Sequence, residues 1–152
     1  MYHYIRNYRI KNIKIFGIGF GFLALAALIY FIIPSGDDSI EWNKFDLAIY
    51  ENSINEGEPI IIDFYADWCI PCKELDKQTF SDKRVIELSK KFVMIKADMT
   101  KTLSEETAKI ANKFNIVGMP TVLIIDSKGK ELERLTGFVN ADEFLKIMQK
   151  AY

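Results

Sequence analysis

A chain of 152 residues, 49% of them apolar, is long enough for one compact domain with an appendage and too short for two domains of ordinary size. The 20 basic and 21 acidic residues nearly balance, but Arg6, Arg9, Lys11 and Lys14 open the chain with no acid among them; the remainder holds 16 basic against 21 acidic residues, net −5, with no basic stripe for nucleic acid. An aromatic content of 13% excludes a disordered chain, two cysteines exclude a disulfide-rich miniprotein, and with His3 as sole histidine a self-contained zinc site lacks ligands, so no metal is expected.

In chain order, the first element is Ile15 to Ile33, nineteen residues without a charge. As a helix it would span roughly 28 Å, close to a hydrocarbon core of about 30 Å. Tyr30 suits the far interface and Pro34-Ser35-Gly36 ends the run. A cleaved signal would have an apolar stretch of only about 7 to 15 residues before its small-residue site, and Ala24 to Ala26 lies inside the run; an uncleaved anchor is expected. The basic flank against Asp37, Asp38 and Glu41 predicts a cytoplasmic segment 1–14 and a body outside the cell membrane. Gly17, Gly21 and Ala24 share a helical face that would let a second anchor approach closely.

Residues 34–42 read as a linker and 43–152 as the folded body. Asn43 to Asn55 carries Phe45, Ala48, Ile49 and Ile54 at helical spacing, broken by Glu56-Gly57-Glu58-Pro59. Ile60 to Tyr65 is a near-continuous apolar run of strand length, suited to burial on both faces. A helix follows at Cys69-Ile70-Pro71-Cys72, with Pro71 in a first turn where a missing N–H is harmless. Ser81-Asp82 caps another before Val85, Ile86, Leu88 and Phe92. Val93 to Asp98 is a strand and Leu103 to Phe114 a helix. Thr121 to Ile125 and Glu131 to Leu135 form a hairpin through Ser127 to Lys130, and Ala141 to Gln149 is a closing amphipathic helix. This order predicts an α/β fold, a mixed central sheet flanked by helices.

Two cysteines three apart at a helix start lie on one face, close enough to join. As a structural staple, the Cys69–Cys72 ring is too small to restrain the unfolded chain much, which favours redox chemistry. The helix N-terminus would stabilise a thiolate on Cys69, making it the nucleophile; Cys72, one turn further in and less exposed, would resolve the mixed disulfide. A lone CxxC also resembles half a zinc site, but no second pair exists. Asp63 interrupts an apolar strand, which costs stability unless the carboxylate is paired or protonated; a role in proton transfer at the dithiol is expected.

The stretch Asp63-Phe64-Tyr65-Ala66-Asp67-Trp68-Cys69-Ile70-Pro71-Cys72-Lys73, followed by Gly118-Met119-Pro120-Thr121, resembles the thioredoxin superfamily. The longer YADWCIPCKELDKQTFSDKRV is similar to the C-terminal, periplasmic thioredoxin-like domain of the DsbD family, with resemblance over about residues 42 to 150. It implies a thioredoxin fold with Pro120 as a cis-proline facing the dithiol, Met119 presenting backbone groups to an extended substrate, and Trp68 and Pro71 beside them. Asp63 matches the buried carboxylate behind the cysteines. Asp76 stands where DsbD-type domains carry glutamate, which implies a tuning role altered by its shorter side chain. Trp68 is open between shielding the helix end and facing substrate; Lys73 and Glu74 read as a solvated helix face.

The resemblance implies a membrane-anchored extracytoplasmic thiol–disulfide oxidoreductase that needs no cofactor. Strong oxidants of this fold have a histidine between the cysteines; Ile70-Pro71 here favours a reductase. Its expected partners are disulfide-containing extracytoplasmic proteins, apocytochrome c included, and a separate membrane electron donor, because the delivery domain and multi-span core of DsbD have no counterpart in these residues. One alternative is a dedicated cytochrome c maturation thioredoxin, although those often insert a segment after the active-site helix. Another is a non-catalytic peptide-binding adaptor or holdase, against which the two retained cysteines speak.

Overall fold

The run Ile60 to Tyr65 becomes the middle strand of a sheet and is almost wholly removed from water. The computed structural model describes residues 39–151. Its elements are β1 (Asn43–Lys44), α1 (Leu47–Glu56), β2 (Ile60–Tyr65), α2 (Ile70–Gln78), α3 (Lys83–Ser89), β3 (Val93–Asp98), α4 (Glu105–Phe114), β4 (Thr121–Ile125), β5 (Glu131–Thr136) and α5 (Ala141–Met148). The sheet order is β1-β3-β2-β4-β5, with the first three strands parallel and β4 and β5 antiparallel.

Side chains alternate across a strand, so β2 feeds two cores. Ile60, Ile62 and Phe64 pack with Ile95, Ala97, Leu123 and Ile125 beneath α1 and α4. On the other face Ile61 joins Met94, Val122 and Ile124 against Leu75 of α2, Val85 and Ile86 of α3, and Phe144 and Met148 of α5. The same alternation puts Asp63 on the α2 side, opposite Lys96 in the β2–β3 register.

Several boundaries differ from expectation for local reasons. Asn43 and Lys44 are a short parallel strand, not the start of a helix, and the Phe45 N–H extends the pairing to the Lys96 carbonyl at 2.8 Å. Helix α1 starts only at Leu47, because the Asp46 carboxylate caps it by accepting the Ala48 N–H. Ser104 likewise caps α4, leaving Leu103 outside the helix and fully exposed. Within the stretch read as linker, Ile40 is buried in the core and the Trp42 ring packs edge-on against Phe80. The predicted span 15–33, its basic flank and the Gly17-Gly21-Ala24 face lie outside the described residues. Among the described residues no helix is long and apolar enough to cross a membrane.

Candidate active site

Strand β2 delivers the chain at Tyr65 into a tight turn closed by the Cys69 N–H on the Ala66 carbonyl, and α2 starts at once. Cys69 is the N-cap: its backbone is extended and its Sγ accepts the Cys72 N–H at 3.2 Å. Pro71 sits in the first turn and is exposed, as its missing N–H allows. Cys69 and Cys72 are joined in a disulfide with Cα atoms 5.3 Å apart. The expected difference in exposure between them is absent, since both are 4% exposed. In the oxidised pair they differ by position instead. Cys69 Sγ lies at the helix end, where N–H groups favour negative charge on sulfur.

The loop before β4 contributes the facing wall. The Met119–Pro120 bond is cis, Pro120 is buried, and Met119 packs against Ala66 and the two cysteines. The loop is pinned from two sides, by Thr121 Oγ1 donating to the Gly118 carbonyl at 2.7 Å and by the Gly137 N–H donating to the Pro120 carbonyl at 3.0 Å. Trp68 is 57% exposed rather than packed as a shield; its indole N–H reaches the Thr100 carbonyl at 3.3 Å. Thr100 also accepts the Asp67 N–H, and its own N–H goes to Asp98; hydrogen bonding from the Thr100 side chain first and its backbone next holds that carboxyl below its ordinary range. Ile70 and Val117, not singled out from the sequence, are more exposed still.

Behind the disulfide, Asp63 is 2% exposed and its Oδ1 has no hydrogen-bond partner. Its Oδ2 lies 3.8 Å from Lys96 Nζ, too far for a hydrogen bond, whereas the same ammonium is 2.6 Å from Asp76 Oδ1. Burial pushes the Asp63 carboxyl up to about 7; Lys96 opposes that rise and Asp76 adds to it. The structure therefore unites Asp63 and Asp76 through Lys96. A lysine inside the apolar run Val93 to Asp98 is the same kind of signal that singled out Asp63, and reading it would have found this residue. Among the described residues no cluster of three or more His, Cys, Asp or Glu could hold a metal ion.

The family model of the thioredoxin-like domain matches residues 49–152. The chain belongs to that family. Thiol:disulfide interchange proteins DsbD of Yersinia pestis strain Pestoides F and of Pectobacterium atrosepticum are 43% identical over 96 residues and 40% over 95, or 62% and 61% of this chain. The chain spans only 16% of the length of these relatives. The Neisseria meningitidis DsbD C-terminal domain superposes in its reduced form with a TM-score of 0.61 at 28% identity, covering 72% of this chain and all of that one. A thioredoxin from Thermus thermophilus shares the fold, with a TM-score of 0.61 at 23% identity over 74% of this chain and 86% of that one. This thioredoxin-like domain carries the Cys69–Cys72 disulfide at the start of α2, an arrangement suited to thiol–disulfide exchange.

Proposed function

We propose that the chain works as a reductase of protein disulfides on the extracytoplasmic side of the cytoplasmic membrane, anchored by residues 15–33, with 34–42 leading into the catalytic body of 43–152. The observation that carries the chemistry is the placement of Cys69 Sγ at the N-cap of α2, with its partner one turn inside and a buried carboxylate on the strand behind.

In the reduced protein the Cys69 thiolate attacks one sulfur of a substrate disulfide; that S–S bond breaks, and the first substrate thiolate leaves and takes a proton from water. Cys72 then attacks Cys69 Sγ in the mixed disulfide, giving its thiol proton to ionised Asp63. The second substrate thiolate departs, two electrons have passed to the substrate, and Cys69–Cys72 is closed again. Asp63 suits this transfer because its carboxyl titrates at about 7, so it is partly ionised at neutral pH and still basic enough to take the proton. Trp68, Pro71, Met119 and Pro120 line the approach of an extended substrate segment, and Asp76 tunes Asp63.

Ile70-Pro71 between the cysteines supports the reducing direction, and a separate membrane protein would restore the dithiol. Oxidised cysteines of extracytoplasmic proteins, apocytochrome c among them, are the proposed substrates. The short connection from α2 to β3, holding only the seven-residue α3, favours a general reductase over a maturation thioredoxin with an inserted segment. The test is trapping in intact cells. Cys72→Ser should accumulate mixed disulfides through Cys69 while Cys69→Ser traps almost none, and an impermeant thiol reagent should label the reduced protein without lysis. Equal trapping by both variants contradicts the assigned roles, and labelling only after lysis contradicts the orientation.

A further inference from the structure

The Lys96 ammonium is enclosed to a degree that an ion pair alone does not require. Three aromatic rings stand around it, Trp42 and Tyr65 with centroids 5.1 Å away and Phe80 at 6.0 Å, while Asp76 holds it at 2.6 Å and Asp63 lies 3.8 Å off. The lysine side chain keeps only 20% exposure. Trp42 is the unexpected member. It comes from the segment before β1, and its ring is fixed edge-on to Phe80 at 5.1 Å. Ring faces attract an ammonium, the more so as water is excluded, and a flexible four-carbon stem would otherwise let the charge swing out to solvent with the 43% exposed Asp76.

We propose that Trp42 is a positioning residue for proton transfer: with Phe80 and Tyr65 it holds the Lys96 ammonium between Asp63 and Asp76, and so sets the pH at which Asp63 takes up a proton. This deepens the reductase reading, because Asp63 is the proton acceptor there. The groups that bear on Asp63 are Lys96 from β3, Asp76 from α2 and Tyr65 from its own strand; its partner on β4 is Val122, which carries no charge. Asp67 and Asp98 act on Tyr65, whose phenol is held above its ordinary value by burial first and these acids next, and so stays neutral in the range concerned.

The signs follow from charge. Lys96→Gln removes the cation that favours ionised Asp63, so the Asp63 midpoint should rise, by about one pH unit. Trp42→Leu opens the cage and lets the ammonium drift outward with Asp76, which should raise the midpoint by roughly half a unit, while Trp42→Phe, keeping a ring face, should restore it. Asp76→Asn removes a negative charge and the competing anchor, so Lys96 can close on Asp63 and the midpoint should fall. In the Lys96→Gln background, Trp42→Leu should add nothing.

The experiment is a pH titration of the full chain in its oxidised form, with aspartate side-chain carboxyls labelled with carbon-13 and Asp63 assigned by the signal missing in Asp63→Asn. Because the disulfide is closed, no thiol step enters, and a failure of the reductase reading would leave this titration untouched. Two results would overturn the proposal: a folded Trp42→Leu protein with the wild-type midpoint, or a Trp42→Leu shift that persists undiminished beside Lys96→Gln. A second measurement covers the case in which Trp42→Leu does not fold. In Trp68→Phe, Trp42 is the only tryptophan left, and its emission should step with pH at the Asp63 midpoint and lose that step in Asp63→Asn; emission that is flat, or that steps unchanged in Asp63→Asn, refutes the coupling.

Discussion

The two faces of the sheet are built from the same strands and treat their residues in opposite ways. Beneath α1 and α4 every inward position of β2 and β3 is apolar, from Ile60, Ile62 and Phe64 to Ile95 and Ala97, and Phe114 closes the layer with tilted and edge-on ring contacts to Phe64, Phe45 and Tyr50. Beneath α2, the next residues along the same strands are Asp63 and Lys96, and the buried carboxylate has no hydrogen bond on one oxygen. One face is organised for stability. The other gives some of it up at the end where the disulfide sits. Asp82 shows that the carboxyl group itself is not the cause: half-buried at the start of α3 and hydrogen-bonded by Arg84, it is held down to about 2, whereas burial raises Asp63 to about 7.

That contrast can be broken by substitution on either face. Phe64→Ala should lose about 3–5 kcal/mol in denaturant unfolding, since it empties a fully buried site on the apolar face, while the folded fraction should keep its dithiol reactivity. Asp63→Asn should do the reverse. An unfolded aspartate titrates near 3.9 and the folded one at about 7, so between these values the folded state binds more protons and stability falls as pH rises; above about 7 the loss is complete. At pH 8 the variant should therefore be more stable than the wild type, by about 4 kcal/mol, with the gain gone by about pH 4. Unfolding curves at both pH values check this, and a gain independent of pH would break the link between burial and titration. The smallest effect is local to one helix end: Ser104→Ala removes the cap of α4 and should cost about 1 kcal/mol without changing the site.

Much of the fold was legible because the strands β2, β3 and β4 are apolar runs, the helices α2 and α3 carry their own start signals in Pro71 and Asp82, and α5 is amphipathic along its length. The two-residue strand β1 was not, since Asn43-Lys44 is too short to show a period and is defined only by pairing with Ile95 and Lys96. Leu103 misleads for a related reason: an apolar residue beside a helix reads as part of it until the Ser104 cap is seen. Within the site, the redox pair and Asp63 stand out chemically, and the cis state of Pro120 came from family resemblance, because most X–Pro bonds are trans. The equal burial of Cys69 and Cys72 depends on Met119 and Tyr65 packing over them, contacts between distant segments that spacing does not encode.

The most direct test of the account is the rate at which Cys72 resolves a preformed mixed disulfide on Cys69, followed by stopped flow from about pH 5 to 9 in wild type and Asp63→Asn. If Asp63 accepts the Cys72 proton, the wild-type rate rises through a midpoint near 7 as the carboxyl ionises. The variant should then be slower at neutral pH, and its rate should climb only as the Cys72 thiol ionises by itself. Superimposable profiles in two folded proteins would contradict the account and leave Asp63 as a buried charge without a part in the reaction.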